Sequence, residues 1–251
     1  MRFNRILPSI FIFAAAANAQ TAADHIALGD RDYVAMNAQS ALAHYEQAAK
    51  LDQSSYEAVW KASRSAVDIG SYTNDQRRRE SLFASAEQYA RTAVRLSPGD
   101  AEGRFSLARA LGKTALTQSP KGRIKYANEI RSQALECLRI NPRHGGCLHV
   151  MGMWNAEVMR LNGFTRLVAK NILGGKAFGS ASWKEAVRYM EASVANDPER
   201  IVHYIDLAEV YRDVGDTAKS RAMYEAVLRM PANDVNDRVY KEQARSALGT
   251  R

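Results

Sequence analysis

Helical runs in this chain end repeatedly at a proline, and the spacing of these ends constrains the fold more than any other feature. A proline lacks a backbone N–H and clashes with the preceding helical turn, so it ends one helix and is tolerated in the first turn of the next. The sequence therefore predicts an all-α chain of consecutive helical units. The ends are Leu96-Ser97-Pro98, Ile140-Asn141-Pro142, Asn196-Asp197-Pro198 and Met230-Pro231, and Leu51-Asp52-Gln53 is the same ending without its proline.

Two of these units resemble the tetratricopeptide repeat, a helical hairpin whose first helix (A) and second helix (B) carry characteristic small and aromatic residues. The unit at residues 22–55 has Leu28-Gly29 on helix A and Tyr45 on helix B, and the unit at residues 201–234 has Leu207-Ala208 and Tyr224. The amphipathic run at residues 235–248 is typical of a capping helix with a polar outer face. We expect an all-α, tetratricopeptide-like right-handed superhelix of about five hairpins with long helices, one inserted helix and a C-terminal capping helix.

The middle units are longer than the usual repeat of about 34 residues. Pro98 and Pro142 are 44 residues apart, and Pro142 and Pro198 are 56 residues apart. Longer helices accommodate the smaller excess, whereas the larger one requires an additional element. A capping box, Ser182-Trp183-Lys184-Glu185, predicts that a helix B starts at Trp183 and leaves residues 161–181 as an insertion. Its apolar face and its residues Phe164, Arg166 and Lys170 fit a lid or membrane-surface helix, or a packing helix that plugs the superhelix.

The first 19 residues have the pattern of a secretory signal peptide. Arg2 and Arg5 precede an apolar run, and Ala17-Asn18-Ala19 is a small-x-small cleavage motif. The run is too short for a membrane-spanning helix of about 20 residues, which is the alternative interpretation. We expect cleavage before Gln20, a repeat domain at residues 20–251, and a periplasmic or secreted protein without a membrane span.

Charge indicates which partners such a protein binds. The whole chain has a formal net charge of +8, and loss of Arg2 and Arg5 leaves +6. A basic exported protein favours anionic partners such as lipid headgroups, anionic polymers or acidic proteins, and peripheral membrane contact is compatible with this charge. Nucleic acid is not expected, since the chain has no long Lys/Arg block and no zinc-finger spacing.

The two cysteines, Cys137 and Cys147, are ten residues apart, near the end of one predicted helix and the start of the next. An oxidising compartment permits a disulfide between them. Two free thiols buried as small apolar residues are the other interpretation, because spacing alone does not show how closely the β-carbons approach.

Residues of the A helices face the concave side of a tetratricopeptide superhelix, so these residues form the predicted binding surface. The mixture of aromatic and cationic side chains suits an acidic-hydrophobic peptide or an amphiphile with an anionic head. The alternative is that long hairpins fill their own groove and these side chains belong to the core. The predicted site residues are Trp60, Arg64, Phe105, Arg109, Lys113, His149, Met153 and Glu157.

Motifs for catalysis are missing from the sequence. Gly174-Gly175-Lys176 lacks the spacing of a phosphate-binding loop, and neither HExxH nor GxSxG occurs. His149 and His203 are a weak basis for a metal site because they are far apart in the chain. We therefore expect a protein without enzymatic activity, cofactor or metal.

The insertion and its flanks are similar to the regulator of microtubule dynamics protein family. The similarity rests on the run from Leu148 to Trp154, on Leu161, Arg166 and Ala169, on Gly174-Gly175, Ala181-Ser182, Glu185-Ala186 and Asp197-Pro198, and on Asp234, Asp237, Lys241, Glu242 and Ala244. This resemblance implies a repeat domain that eukaryotic relatives carry beside membrane anchors. It also implies an association with microtubules and organelle contact sites, and a proposed lipid-binding role. An exported protein does not meet microtubules, so that association is not expected here.

The sequence thus predicts an exported scaffold whose concave groove binds a protein or peptide. The alternative is a carrier or sensor of an anionic lipid or other amphiphile. The carrier requires an enclosed apolar cavity bounded by Trp60, Phe105, Met153 and the inserted helix.

Overall fold

The described part of the chain forms five antiparallel helical hairpins followed by a final helix. A computed structural model describes residues 20–162 and 176–249, and these contain eleven α-helices and one 3-10 turn, Lys176–Ser180. The A helices are α1 (Ala22–Val34), α3 (Tyr56–Tyr72), α5 (Ala101–Leu116), α7 (Gly145–Arg160) and α9 (Ile201–Asp213). The B helices are α2 (Ala38–Leu51), α4 (Gln76–Leu96), α6 (Pro120–Ile140), α8 (Trp183–Asn196) and α10 (Thr217–Arg229), and α11 (Asp237–Gly249) follows them. The predicted all-α solenoid is confirmed.

Side-chain caps fix where most helices begin. Ser182 accepts a hydrogen bond from the backbone N–H of Glu185, so α8 starts at Trp183 as predicted. Asp75 and Asp216 cap α4 and α10 in the same manner. Asn141 and Asp197 end α6 and α8 in extended or irregular backbone, one residue before a proline.

The additional length of the middle units lies where the sequence predicts it. Helices α4 and α6 each have 21 residues, whereas α1 and α2 have 13 and 14. The larger excess falls between α7 and α8. There Phe178, in the 3-10 turn, is buried against Trp154 and Val158 of α7. Phe164, Arg166 and Lys170 lie outside the described residues.

Glycines on A helices receive large side chains from the paired B helices. A β-carbon on Gly29 would lie 2.5 Å from the Tyr45 ring, and one on Gly70 would overlap the Phe83 ring in the same way. These side chains are buried in the hairpin core, together with the small residues that surround them. The small-residue positions of the repeat pattern therefore allow helices A and B to approach closely.

The A helices also pack directly on one another, α1 on α3, α3 on α5, α5 on α7 and α7 on α9. They form the inner, concave side of the superhelix, and the B helices form its outer side. The residues that face this inner side determine what the groove contacts.

The C-terminal helix α11 packs on α9 and α10, as a capping helix does. Ala244 is buried and Leu248 lies in the same cluster, which agrees with the predicted apolar face. Val239, which the sequence places on that face, is instead 56% exposed. The difference arises because the side of α11 that packs on the neighbouring helices carries Tyr240, Ala244, Ala247 and Leu248, at helical spacing, and Val239 lies outside that stripe.

Cys137 and Cys147 form a disulfide with a Cα–Cα distance of 6.3 Å. The bond joins the last turn of α6 to the first turn of α7, and both residues are completely buried. It therefore fixes one hairpin to the next.

Candidate binding groove

The centre of the concave groove is a buried hydrogen-bond network around Asp68 of α3. Its carboxylate is 0% exposed and accepts hydrogen bonds from the Tyr33 hydroxyl at 2.9 Å and from Nη2 of Arg109 at 2.5 Å. Side chains from α1, α3 and α5 thus meet at the Asp68 carboxylate. Burial and then the Asp68 carboxylate raise the pKa of Tyr33, so its hydroxyl stays protonated as a donor. Arg109, which the sequence predicts to bind an anionic ligand, instead forms an ion pair with Asp68 inside the protein.

Trp60, Arg64 and Tyr33 form a second, more accessible group at the α1–α3 end of the groove. The guanidinium of Arg64 lies 3.6 Å from the centroid of the Tyr33 ring and 5.1 Å from that of Trp60. All three residues are half-buried. We call this group the aromatic–arginine cluster. A stacked guanidinium between aromatic rings resembles the anchor residues of protein interfaces, which are enriched in Trp, Tyr and Arg.

Lys61 lies beside this cluster and is neutralised within the protein. Its ammonium is 2.6 Å from a carboxylate oxygen of Asp30 and 2.6 Å from one of Glu57. Lys113, one turn after Arg109 on α5, has no ion pair among the described residues. Burial and then the charge on Arg109 lower the pKa of Lys113.

Two histidines occupy the other half of the groove, where α7 meets α9. Nε2 of His149 is 2.6 Å from an Asp206 carboxylate oxygen, and the His149 ring stacks on His203 with centroids 4.8 Å apart. His203 is buried, and burial followed by the charge on His149 holds its pKa well below the usual value. His149 is therefore paired with a carboxylate, whereas Nδ1 of His203 is buried without a hydrogen-bond partner among the described residues.

The remaining predicted site residues do not share one apolar floor. The Phe105 ring packs between α5 and α7, 5.0 Å from the His144 ring, in space left by Gly146. Met153 packs with the cluster around Met190 and Leu207, on the α8 side of α7. Trp60, Phe105 and Met153 thus pack against different neighbours. Glu157 is exposed and forms an ion pair with Arg160.

The segment at residues 230–236, between α10 and α11, crosses the middle of the groove, a feature that the repeat pattern does not predict. Val235 packs on the hydrophobic cluster of the first two hairpins. The Asn236 amide lies 3.5 Å from the Asp68 carbonyl oxygen, across 168 residues of sequence. An Asp234 carboxylate oxygen lies 3.4 Å from Nη1 of Arg200. We call this segment the strap. The groove is thus partly filled by the chain itself.

The described residues contain one group of side chains close enough together to ligate a metal. Cys137, His144 and Cys147 offer atoms within 4.8 Å of one another. The two sulfur atoms are bonded to each other, and Nδ1 of His144 accepts the Cys147 backbone N–H. The group therefore caps α7 and joins two helices.

The sequence of this chain is similar to that of one known protein family. The family described as Regulator of microtubule dynamics protein 1-3 matches residues 24–250. Regulator of microtubule dynamics protein 1 of Bos taurus is 23% identical over 143 residues, which are 57% of this chain and 44% of that protein. The Mus musculus protein of the same name is 22% identical over 143 residues, 46% of its length. The chain therefore matches less than half the length of these relatives.

Among solved structures, a thermophilic tetratricopeptide protein of Thermus thermophilus matches with a TM-score of 0.65 and 20% identity. The match covers 91% of this chain and 99% of that structure. At this identity the likeness shows the fold alone, and that fold is the tetratricopeptide array. Among the helices described, we find none with the length and apolar character required to cross a membrane.

Proposed function

Because this chain belongs to the regulator of microtubule dynamics protein family, we propose that it is a non-enzymatic scaffold that binds a protein or peptide on its concave face. The observation that carries the proposal is the aromatic–arginine cluster of Tyr33, Trp60 and Arg64. The tetratricopeptide fold presents such a surface on a rigid set of helices.

The charges of the groove support a ligand with both apolar and polar groups. Arg109 and Lys61 are paired with internal carboxylates, so the groove does not bind by bulk positive charge. Arg64 has no salt bridge in the described structure; its guanidinium lies over the Tyr33 ring and near the Trp60 ring, and it donates to the Tyr45 hydroxyl at 3.4 Å. A peptide that combines an aromatic or aliphatic side chain with a carboxylate matches this cluster.

We also propose that the protein is located outside the cytoplasm. It is supported by the signal-peptide pattern of residues 1–19 and by a disulfide at Cys137–Cys147, which oxidising compartments permit. N-terminal sequencing of the exported protein checks it, and Gln20 is the expected first residue.

Selection from a displayed peptide library tests the binding function. The purified protein is the bait, and the Trp60→Ala and Arg64→Ala variants are compared with an Arg95→Ala control on the exposed surface of α4. We expect enriched peptides to bind both cluster variants at least about tenfold more weakly, about 1.4 kcal/mol, with the control unchanged.

Failure to enrich any peptide, or equal binding to the Trp60→Ala variant, would contradict the proposal. Native mass spectrometry with lipid extraction distinguishes the alternative. A co-purifying lipid whose occupancy falls in the Trp60→Ala variant would instead support an amphiphile carrier.

A further inference from the structure

The turns that connect helices A and B within the first three hairpins lie side by side along one edge of the superhelix. Nη2 of Arg78, at the start of α4, is 3.1 Å from the Gln39 side-chain oxygen at the start of α2. A cavity of about 360 Å³ lies between the α3–α4 turn and the end of α5. We call the surface formed by residues 31–39, 71–80 and 113–119 together with Arg123 and Lys125 the turn edge.

Each of these three turns exposes a large apolar side chain. Val34 is 80% exposed, Tyr72 is 43% exposed and Leu116 is 55% exposed. They occupy the last position of α1, α3 and α5, where a helix ends and the chain reverses. Single exposed apolar residues are ordinary, but a series on consecutive turns of one edge forms a surface for contact.

Among the described side chains of the turn edge, no arginine or lysine forms an ion pair with a carboxylate. Arg78 donates to the Gln39 amide oxygen, Arg79 to the Thr73 carbonyl, and Arg123 to the carbonyls of Leu116 and Gln118. Arg77 and Lys125 are exposed beside them. Elsewhere on the outer helices, arginines form ion pairs, as Arg91 does with Glu129 and Arg139 with Glu136.

The acidic residues of the turn edge have local partners. The Asp75 carboxylate caps α4 by accepting the Arg78 backbone N–H, and the Glu80 carboxylate accepts from the Gln76 amide. Asp32 accepts from the Ser40 hydroxyl and lies 3.6 Å from His44. The edge therefore keeps an excess of arginine and lysine charge next to its apolar side chains.

The cavity on this edge has the donors that a phosphate group requires. Arg79 and Lys113 line it together with Ser71 and Thr117, whose hydroxyls donate to the Val67 and Thr114 carbonyls, and Leu116 lies at its border. The cations that face a bound phosphate are therefore Arg79 and Lys113. The other lining residues are Gln76, Glu80 and Phe83. Phosphate oxygens bind such cations through charge-assisted hydrogen bonds.

We propose that the turn edge docks on a membrane surface that contains anionic phospholipid. Val34, Tyr72 and Leu116 enter the interface, the arginines contact headgroups, and one lipid phosphate occupies the cavity beside Lys113. A bilayer fits better than a protein partner because the apolar side chains project from separate turns, which is the arrangement that contacts a flat surface. Trp60 and Arg64 of the aromatic–arginine cluster lie outside the turn edge, so the protein can hold a partner while docked.

Vesicle sedimentation with the purified full-length mature protein tests this proposal. Vesicles of phosphatidylcholine alone are compared with vesicles that also contain phosphatidylglycerol. We expect binding only to the anionic vesicles, and a loss of binding as salt is raised. Arg78→Gln and Arg123→Gln should each weaken binding about fivefold, since one basic residue near an anionic surface contributes about 1 kcal/mol.

A matched pair of variants tests the apolar contacts. Leu116→Asp is expected to weaken vesicle binding at least about tenfold, because it places a charge in the interface. Leu51→Asp is the control, since Leu51 is 51% exposed at the end of α2, on the opposite edge. Circular dichroism confirms that both variants are folded.

Equal binding to neutral and anionic vesicles, or an equal loss from Leu51→Asp and Leu116→Asp, would overturn the proposal. Binding to an acidic protein but to neither vesicle would also overturn it and assign the edge to a protein partner. Peptide binding at Trp60 is a separate measurement, so either proposal can fail without the other.

Discussion

Nη2 of Arg109 lies 2.5 Å from a carboxylate oxygen of Asp68, although 41 residues separate the two in the sequence. The Asp68 side chain is fully buried. An isolated charge at this depth would be strongly unfavourable, so each residue requires the other. The Tyr33 hydroxyl completes the network from a third helix. This pair joins the second and third hairpins through the inner face of the array.

Removing Asp68 tests the strength of this connection. Asp68→Ala leaves the half-buried Arg109 guanidinium without its partner and should lower the free energy of unfolding by about 2–4 kcal/mol. Tyr33→Phe removes one hydrogen bond and should cost about 1 kcal/mol. Urea denaturation followed by circular dichroism measures both. Glu136→Ala, which breaks the exposed pair with Arg139, is the control and should leave the midpoint unchanged. An equal effect of Asp68→Ala and Glu136→Ala would contradict the assignment.

Gly70 and Gly112 should respond in opposite directions to the same substitution. A β-carbon on Gly70 would overlap the buried Phe83 ring, so Gly70→Ala should destabilise the protein by about 1–3 kcal/mol. A β-carbon on Gly112 has no neighbour within 4 Å, so Gly112→Ala in α5 should stabilise by about 0.5–1 kcal/mol. Thermal unfolding of the two variants measures the difference. A shift of the same sign in both would contradict this packing.

The disulfide closes a short loop, and its loss should be measurable. Cys137→Ala combined with Cys147→Ala should lower the free energy of unfolding by about 2–3 kcal/mol, because the unfolded chain regains freedom across ten residues. A thiol reductant, added while the protein is heated, should lower the melting temperature of the wild type and leave the double variant unaffected. Identical melting of oxidised and reduced wild-type protein would show that the bond does not stabilise the fold.

His203 should make stability depend on pH. Its pKa in the folded state is well below the usual value of about 6.5, so the unfolded chain binds a proton first as the pH falls. The free energy of unfolding should therefore decrease from about pH 7 downwards, by at most about 1.4 kcal/mol per pH unit. His203→Gln should reduce this decrease.

Wild type and His203→Gln are compared because other charged and titratable groups lie near His203. His149 stacks on it, and Arg200, Arg109 and Asp197 contribute to its electrostatic environment. Burial raises the pKa of Asp197, which affects stability in the opposite direction. Urea denaturation from about pH 7.5 to about pH 5.5 measures the difference, and parallel curves for wild type and His203→Gln would contradict the prediction.

The sequence is sufficient to predict the hairpin array because caps, prolines and small residues act locally. Ser182 fixes the start of α8 through a contact three residues away, and Gly29 and Tyr45 indicate how a hairpin closes. The excess length of the third hairpin also appears where Pro98 and Pro142 place it. Each of these signals acts within a single hairpin.

The binding surface is less predictable because it depends on contacts between distant helices. Phe105 and Arg109 are one turn apart on α5, yet the first packs against α7 and the second bonds to α3. Helical periodicity does not distinguish these two directions. Asp68, which sequence reasoning did not identify, is recognisable only through partners 35 and 41 residues away. The strap contacts residues still farther away in the sequence, since Asn236 and Asp68 are 168 residues apart. A polar connection such as Asn233-Asp234 ordinarily predicts a surface loop, so the sequence does not indicate that this segment crosses the groove.

The strap also changes how this array is expected to unfold. A simple solenoid has contacts only between neighbouring repeats, so it can fray from one end and open in steps. Here Val235 and Asn236 contact the first two hairpins, at the other end of the chain. The terminal hairpin therefore cannot detach without exposing part of the N-terminal core. Because contacts of the strap couple the two ends of the array, loss of one end should destabilise the other. Unfolding should therefore be a single cooperative event.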